Sequence, residues 1–520
     1  MIFSKKKLLS LSGLFLSLNL SAEETLITKI NEGVNSFMAP VTDVVEKVVF
    51  YSIEPFGVKV PLVLIWLILG AVFFTVKFKF FNITGFKYAI NLIRGKYDAP
   101  VKKHNQEGTA IQDTHPGKKI EGQVSHFQAL TTALSGTVGL GNISGVAIAI
   151  AAGGPGATFW MIIAGLLGMT TKFVECTLGV KYRKVNKDGS VSGGPMYYLS
   201  KGLALKKLPV LGKVLAVFFA MMCVGGSLGG GNMYQVNQAR AQFASLSVFD
   251  GTVMQTETGS VYFGIFMAVA VAVVIIGGIK SIAKVTDKIV PVMCGIYVLF
   301  ALIVLGVYFT EIPTAFGKIF SGAFTMQAGF GGLLGVMVQG FKRAAFSNEA
   351  GIGSAAIAHA AVQTDKPVTE GIVALLEPFI DTVVICTMTA LVIVITGAYT
   401  GSSEGVEMTS DAFQNVFGNG ANIILTVAVI LFAFSTMISW SYYGLKAWTY
   451  LFGETKVSEL LYKFVFCLFV VIGAILSLGK VIGFSDAMIF AMCFPNIIGL
   501  YILSPVVQKE LSEFMSSIKK

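Results

Sequence analysis

The stretch Thr131–Pro155, TTALSGTVGLGNISGVAIAIAAGGP, decides how the rest of this chain is interpreted. It lies in a long apolar region but carries glycines and polar residues where a membrane helix is normally continuous: Ser135, Gly136, Thr137, Gly139, Gly141, Asn142, Ser144 and Gly145. Backbone polar groups in hydrocarbon need partners, so broken backbone occurs only inside protein or beside a water-filled cavity. The stretch therefore predicts a discontinuous transmembrane helix whose freed backbone groups bind a cation and a small anionic group.

Close helix packing is the alternative interpretation, because small residues let two membrane helices approach each other. Packing accounts for glycines that recur every four residues. It accounts poorly for the sequence GLGN at Gly139–Asn142, since a buried asparagine without a partner is costly in a membrane.

The composition indicates a membrane protein. The chain has 520 residues, of which 54% are hydrophobic and only 13% are charged, as expected for several membrane-spanning helices. We assign the net charge of +10 to basic cytoplasmic loops rather than to nucleic-acid binding. The six cysteines lie far apart in apolar segments, and no cysteine or histidine has partners at metal-ligand spacing. The sequence therefore predicts neither a disulfide framework nor a transition-metal site.

The N-terminal part divides into four predicted segments. Residues 1–22 have the basic start, short apolar run and small-residue end of a secretory signal peptide, with an uncleaved signal anchor as the alternative. Residues 23–56 are then external, and residues 57–81 form an extra transmembrane helix. Residues 82–123 form a basic loop, which the positive-inside rule places in the cytoplasm.

The remainder reads as two groups of five spans, residues 124–309 and 310–505, followed by a cytoplasmic tail, residues 506–520. With the extra helix this gives an all-α polytopic protein of the cell (inner) membrane with about eleven spans, its N-terminus outside and its C-terminus inside. A second glycine-rich interrupted segment, residues 324–361, begins the second group. Interrupted helices at corresponding places in two groups predict an inverted-repeat transporter, and five spans per group supply the inversion.

Three segments resemble the alanine or glycine:cation symporter family. They are ALTTALSGTVGLGNISGVAIAIAAGGPGATFWM from Ala129, FKRAAFSNEAGIGSA from Phe341 and AFSTMISWSYYG from Ala433. The stretch Gly153–Met161 is similar to the family's signature, although Ile162 stands where a second tryptophan is expected. The resemblance covers residues 122–503.

The resemblance implies a leucine-transporter-type fold, with discontinuous core helices 1 and 6 in a 5+5 inverted repeat. It implies import of alanine, glycine or a similar small neutral amino acid by symport with sodium, and no other cofactor. Some members of the family are coupled to protons, so a proton-coupled symporter stays open as the alternative. The oligomeric state is left open.

The resemblance also assigns the substrate site. It implies that the N–H groups of Leu140 and Gly141 bind the substrate carboxylate and that Asn142 lies between substrate and cation. Three amides occur in one apolar segment, at Asn232, Gln235 and Asn237. We expect Gln235 to reach the substrate, and the two asparagines to tie helices together.

For sodium, the resemblance implies the backbone carbonyls of Ser135 and Val138 and the hydroxyls of Ser435 and Thr436. Sodium is a small hard cation, and such neutral oxygens can bind it without a buried carboxylate. Without the resemblance, the two hydroxyls would be expected to bond a carbonyl one turn earlier in their own helix.

Two aromatic residues complete the predicted substrate pocket. Trp440 lies one turn beyond Thr436 and is predicted to form a pocket wall. Phe341, after Gly340, is predicted to cap the pocket from the second broken helix, unless that helix breaks at Gly331–Gly335 instead.

Five charged residues lie in or next to apolar segments. For Lys342, Arg343 and Glu349 we expect a structural ion pair that holds the inner half of the second broken helix. Glu377 and Asp381 lie one turn apart near the inner end of the next span. They could relay protons, but Pro378 and the location near the interface favour a structural role.

Enzymatic motifs are absent from the sequence, which has no Walker A loop, no H-E-x-x-H zinc motif and no G-x-S-x-G elbow. A channel should carry a continuous polar stripe through several spans, and a sensor should carry a soluble output domain. Neither pattern is present in this sequence, so a transporter remains the favoured class.

Overall fold

The computed structural model describes residues 42–97, 122–186, 189–324, 329–418 and 420–518, with isolated positions between 29 and 40. The predicted signal peptide and residues 98–121 of the basic loop lie outside the described residues. The described chain is almost entirely helical. Its strands form two short antiparallel hairpins, Ser52–Ile53 with Val60–Pro61 and Lys184–Val185 with Val191–Ser192.

The longer helices follow in chain order: Leu62–Lys77, Phe86–Ile93, His126–Thr137, Val146–Gly153, Ala157–Lys181, Pro209–Leu228, Tyr234–Ala244, Glu257–Ile275, Gly278–Val307, Ile312–Ala323, Gly329–Asn348, Pro367–Ala374, Thr387–Thr396, Val406–Phe417, Gly420–Phe452, Lys456–Ile475, Leu478–Ala491 and Cys493–Ser517. Short helical turns lie between several of them: Phe81–Thr84, Gly141–Gly145, Pro195–Tyr197, Tyr198–Gly202, Leu203–Leu205, Gly229–Met233, Ala355–His359, Leu376–Pro378 and Phe379–Cys386.

Eight helices of the described chain are long and apolar enough to cross a membrane, or ten if each of two bent helix pairs is one span. The sequence predicts eleven. Gly329–Asn348 is not among the ten, and it carries Lys342 and Arg343 within its 20 residues. The all-α polytopic fold is confirmed, whereas the count of eleven and the inverted arrangement stay predictions.

The first broken helix is confirmed. Its first half, His126–Thr137, begins at a capping box in which Ser125 and Gln128 satisfy each other's backbone N–H groups. At Val138 the backbone leaves helical geometry, with ψ at 82°. The chain resumes as a wide turn, Gly141–Gly145, and a short helix, and the two halves are bent by 51°. The glycine-rich sequence therefore produces a break, not only a packing seam.

The second broken helix breaks at a different place from the one predicted. Gly331–Gly335 and Gly340 all lie inside the helix Gly329–Asn348. Gly340 serves close packing, because an added Cβ would lie 2.5 Å from the Ala157 carbonyl oxygen. The helix ends before Glu349, where three residues with positive φ follow at alternate positions: Glu349 at 57°, Gly351 at 89° and Gly353 at 90°. Ala355–His359 then continues the segment.

The extra helix, Leu62–Lys77, packs against Ala157–Lys181 and against the last helix, Cys493–Ser517. Trp66 and Tyr501 meet edge to face, with ring centroids 5.6 Å apart. Lys77 donates from Nζ to Ser504 Oγ at 2.5 Å. This helix is therefore part of the folded body.

Candidate functional site

Three hydrogen bonds join the first half of the first broken helix to the long helix Gly420–Phe452. Thr436 Oγ1 donates to the Ser135 carbonyl at 2.9 Å, and Ser135 Oγ donates to the Ser435 carbonyl at 2.6 Å. One turn away, Ser439 Oγ donates to the Thr132 carbonyl at 2.9 Å. All these residues are buried. The structure thus brings together Ser135, Ser435 and Thr436, as predicted.

The two adjacent hydroxyls of the long helix have different partners. Ser435 Oγ donates to the Phe432 carbonyl of its own helix at 3.0 Å, as the alternative interpretation expected for a membrane hydroxyl. Thr436 instead faces the break, and a Cβ added to Gly139 would lie 2.3 Å from its Oγ1. Val138, where the helix ends, is fully buried beside this group.

The turn after the break is bonded to the segment that carries the three amides. The Leu140 N–H donates to Gln235 Oε1 at 3.0 Å, and Gln235 Nε2 donates to the Gly230 carbonyl at 2.8 Å. Gly141 lies against Ser347, whose Cα would be 3.3 Å from an added Cβ. Gln235 is thereby placed at the backbone group that was predicted to bind a carboxylate.

Asn142 connects this turn to the helical segment Phe379–Cys386. Its Oδ1 accepts the Gly139 N–H at 2.9 Å, which holds the turn in shape. Its Nδ2 donates to the Asp381 side chain at 2.7 Å and to the Asp381 carbonyl at 3.0 Å. Asn142 therefore uses both ends of its amide, one within the break and one across to Asp381.

Asp381 is a functional candidate for which the sequence reasoning favoured a structural role over a proton relay. It was placed near the membrane interface, but it is fully buried between the two broken helices. Its carboxylate accepts hydrogen bonds from Asn142, from Ser347 at 2.9 Å and from Thr382 at 2.6 Å. Within the described residues, no lysine, arginine or histidine pairs with it. A buried carboxylate in a membrane segment could itself have indicated a functional site.

Trp440 is held by the break of the second broken helix. Its Nε1–H donates to Glu349 Oε1 at 2.9 Å, and Ser354 donates to the other oxygen of that carboxylate. The indole lies directly on Gly231, where an added Cβ would be 2.2 Å from Trp440 Cγ. The ring is 2% exposed and thus forms a fixed wall next to the amide-bearing segment.

Phe341 does not join this group, because the break lies two turns further along the helix than predicted. Its ring faces Trp160, at a centroid distance of 6.2 Å, and lines a small cavity shared with the extra helix. Phe346 lies nearer to the break on the same helix. Its ring packs edge to face on Tyr234 at 5.2 Å, and the Tyr234 hydroxyl bonds Ser144 at 2.5 Å.

The remaining polar residues have structural roles. The predicted ion pair of Lys342 and Arg343 forms with a different carboxylate from the one named in the sequence analysis. Asn232 donates to the Phe466 carbonyl at 2.7 Å and Asn237 to the Leu476 carbonyl at 2.6 Å, so both tie helices together as expected. Lys342 and Arg343 pair with Asp486, not with Glu349. The expected ion pair exists, but it connects the second broken helix to Leu478–Ala491.

Comparisons with known proteins identify the family of this chain. The sequence profile described as "Sodium:alanine symporter family" matches residues 42–520. The "Sodium/alanine symporter AgcS" of Methanococcus maripaludis is 41% identical over 459 residues, which cover 87% of this chain and 94% of that protein. The "Probable sodium/glutamine symporter GlnT" of Bacillus subtilis is 31% identical over 455 residues, 87% of either chain.

Among solved structures, MhsT in complex with L-phenylalanine aligns with 75% of this chain and 99% of its own, at a TM-score of 0.49 and 15% identity. The profile match over most of the chain, together with the 41% identity to a sodium/alanine symporter, establishes the family. This protein is a transporter, not an enzyme, and it belongs to the sodium:alanine symporter family.

Proposed function

We propose that this protein imports a small neutral amino acid, alanine or glycine, together with sodium by alternating access. The observation that carries the proposal is the set of buried neutral oxygens at the first break. Thr436 Oγ1 donates to the Ser135 carbonyl of the facing helix, whereas Ser435 Oγ donates to the Phe432 carbonyl of its own helix. Carbonyl and hydroxyl oxygens are the ligands that a small hard cation prefers, and here they come from the two elements that a transport cycle can separate.

The substrate carboxylate takes the place of Gln235 Oε1 on the Leu140 N–H. The N-terminal end of the second half-helix favours a negative charge at this position. Gln235 then turns its amide toward the same carboxylate, because its Oε1 is released from the backbone. Trp440 and Phe346 close the sides, so the pocket admits a short side chain.

Asp381 provides a second place for a positive charge, linked to the first by Asn142. Its three donors stabilise a carboxylate, but a buried carboxylate also calls for a cation. A sodium ion there gives a sodium symporter with two cation sites. A proton on Asp381 gives the proton-coupled symporter, which is the second candidate function and rests on this residue.

The experiment is uptake of labelled alanine into liposomes that contain the purified protein. We expect uptake with an inward sodium gradient, and none with an inward proton gradient in sodium-free choline buffer. Excess unlabelled glycine should compete, whereas glutamine should not. Uptake driven by protons alone would overturn sodium coupling, and competition by glutamine but not by glycine would overturn the proposed substrate.

Thr436→Val should raise the half-saturating sodium concentration about tenfold or more. The variant keeps the shape but removes the hydroxyl that meets the Ser135 carbonyl, and a lost polar ligand costs roughly 1–3 kcal/mol. Ser435→Ala removes a hydroxyl that already bonds its own helix, so its effect should be smaller. Sodium titrations of alanine uptake measure both. Equal and negligible shifts in the two variants would place the cation elsewhere.

Trp440→Phe should keep the pocket wall but lose the bond to Glu349, and Trp440→Ala should remove the wall. We expect alanine uptake to survive in the phenylalanine variant. In the alanine variant, leucine and phenylalanine should become competitors, because the space over Gly231 opens. Competition assays on both variants check this. An alanine variant that still excludes leucine would show that Trp440 only packs.

A further inference from the structure

The chain turns sharply where the extra helix Leu62–Lys77 ends, on the side that the sequence predicts to be cytoplasmic. The helical segment that follows, Phe81–Ile93, leaves the axis of the extra helix at 66°. We call this segment the elbow helix. Lys87 within it and Arg94 directly after it are both exposed, and such charges are expensive in hydrocarbon. The elbow helix is thus suited to the membrane–water interface rather than to the membrane interior.

The bend is built on two residues in a conformation that usually calls for glycine. Lys79 and Phe80 have φ values of 55° and 56°, in the left-handed region. The Lys79 N–H donates to the Val76 carbonyl at 3.0 Å and the Phe80 N–H donates to the Thr75 carbonyl at 2.8 Å, which is the pattern of a Schellman helix end. Glycine would make the same turn without strain, so a role for the lysine and phenylalanine side chains offers a reason for their presence.

One face of the elbow helix is fixed to the protein. The Phe81 ring meets the Phe173 ring at a centroid distance of 5.1 Å, and the Phe86 ring meets the Phe379 ring at 4.9 Å. The same part of the chain packs against the helix Pro367–Ala374. This packing holds the elbow helix in one orientation, so its other face is presented outward.

The outward face carries apolar and cationic side chains together. Ile83, Lys87 and Arg94 follow one another at intervals of four and seven residues, so they share one side of the helix. Ile83 is 69% exposed and Phe80, at the bend, is 54% exposed. The cations are exposed as well. We call this set the outer face: Lys79, Phe80, Ile83, Lys87, Arg94 and Lys96.

Within the described residues, no ion pair includes any of the four cations of the outer face. By contrast, Lys181 Nζ lies 2.6 Å from Glu510, and Lys184 Nζ lies 3.3 Å from Glu454. The outer face thus presents positive charge next to two exposed apolar side chains. An anionic phospholipid complements both features, because its headgroup is negative and its acyl chains are apolar.

We propose that the outer face of the elbow helix binds the headgroups of anionic phospholipids in the cytoplasmic leaflet. Phe80 and Ile83 lie beside the upper acyl chains, and the cations contact the phosphate and the headgroup charge. A zwitterionic phospholipid has the same phosphate but also a cationic group, so the outer face favours the anionic lipid. The inference concerns a fixed surface, and it depends neither on the cargo nor on alternating access.

The test measures which lipid gathers at the outer face. Ile83→Cys is labelled with a fluorescent maleimide in the full chain, with Cys294 and Cys467 replaced by alanine, since the other four cysteines are buried. The vesicles contain fixed fractions of phosphatidylglycerol and phosphatidylcholine. Bromine, which quenches nearby fluorophores, is carried by the phosphatidylglycerol in one sample and by an equal amount of phosphatidylcholine in the other. We expect brominated phosphatidylglycerol to quench about twofold more or better. Equal quenching would overturn the proposal.

A second probe position shows whether the enrichment is local. Val269 is 60% exposed on the helix Glu257–Ile275, which contains no lysine or arginine. The same label on Val269→Cys should be quenched equally by the two brominated lipids, because no cation of its helix distinguishes them. A preference for phosphatidylglycerol there as large as at Ile83 would mean that this lipid surrounds the whole protein, and it would overturn the local site.

Two sets of charge variants, both probed at Ile83→Cys, complete the test. The elbow variant should lose the preference for phosphatidylglycerol, and it combines Lys79→Gln, Lys87→Gln and Arg94→Gln. The matched control should keep the preference, because it removes three exposed cations elsewhere on the predicted cytoplasmic side: Lys206→Gln, Lys207→Gln and Lys213→Gln. An unchanged preference in the elbow variant, or an equal loss in both variants, would overturn the proposal.

Discussion

Asp381→Asn is expected to lower sodium-driven alanine uptake more than about 100-fold. In the structure the Asp381 carboxylate accepts hydrogen bonds from Asn142, Ser347 and Thr382, and we propose that its charge binds a cation between the broken helices. Asparagine removes that charge and places an NH₂ group opposite at least one of these donors. Buried groups left without partners cost roughly 1–3 kcal/mol each, and each 1.4 kcal/mol corresponds to about a factor of ten.

Two measurements keep this expectation testable. Thr382→Val is the matched control, since it removes one donor but retains the carboxylate, and it should lower uptake far less. Calorimetric titration of each purified variant with sodium, without alanine, separates cation binding from folding. Wild-type sodium affinity in the Asp381→Asn variant would show that Asp381 has a structural role and does not bind the cation. An Asp381→Asn variant whose alanine transport depends on neither a sodium gradient nor a proton gradient would contradict both proposed coupling modes.

Asn142→Leu and Asn142→Asp are both expected to abolish uptake while the protein still reaches the membrane. Leucine removes the acceptor that holds the Gly139 N–H and the donor that reaches Asp381. Aspartate keeps the acceptor, but it sets a second carboxylate where the amide nitrogen now lies 2.7 Å from Asp381. Two like charges at this distance in a buried site repel strongly, so the conservative change should fail as well.

Asn232→Leu is the matched control for this pair. Asn232 is also a fully buried asparagine of an apolar segment, but it bonds the Phe466 carbonyl, away from the break. Its loss should reduce thermal stability and leave alanine affinity unchanged. Calorimetric titration with alanine in sodium compares the three variants. Wild-type alanine affinity in the Asn142→Asp variant would show that Asn142 is not part of the binding site.

The sequence reasoning succeeded where the signal is local. Gly139–Asn142 places two glycines and an amide within four residues, and such a stretch has few ways to remain helical in a membrane. The second break also had a local signal, Asn348 followed by Gly351 and Gly353, which is typical of a helix end. The prediction instead placed the break at Gly340, with Gly331–Gly335 as the alternative, although glycine inside a membrane helix as often serves close packing.

The contacts that define the site were not predicted, because the residues that make them are remote in sequence. Asn142 and Asp381 are 239 residues apart. Periodicity can place each residue on a helix, but only the packing of the helices decides which buried groups meet. Periodicity also could not show that Ser435 and Thr436 have different hydrogen-bond partners. Adjacent residues on a helix point about 100° apart, so the packing decides which of the two faces the break. The resemblance named the pair, and the structure shows which hydroxyl faces the break.

The position of the extra helix has a consequence for how the protein is made. Leu62–Lys77 leaves the ribosome before any other described span, yet its partner residue Ser504 lies 427 residues downstream of Lys77. At about 5–20 residues per second, roughly 20 to 90 seconds separate the two. During that interval the nascent helix faces lipid with Trp66 and Lys77 not yet covered by the last helix. The packing of the extra helix is therefore completed only when the last helix has been made, and a chain truncated before Cys493 would keep the contact of Leu62–Lys77 with Ala157–Lys181 but leave its other face uncovered.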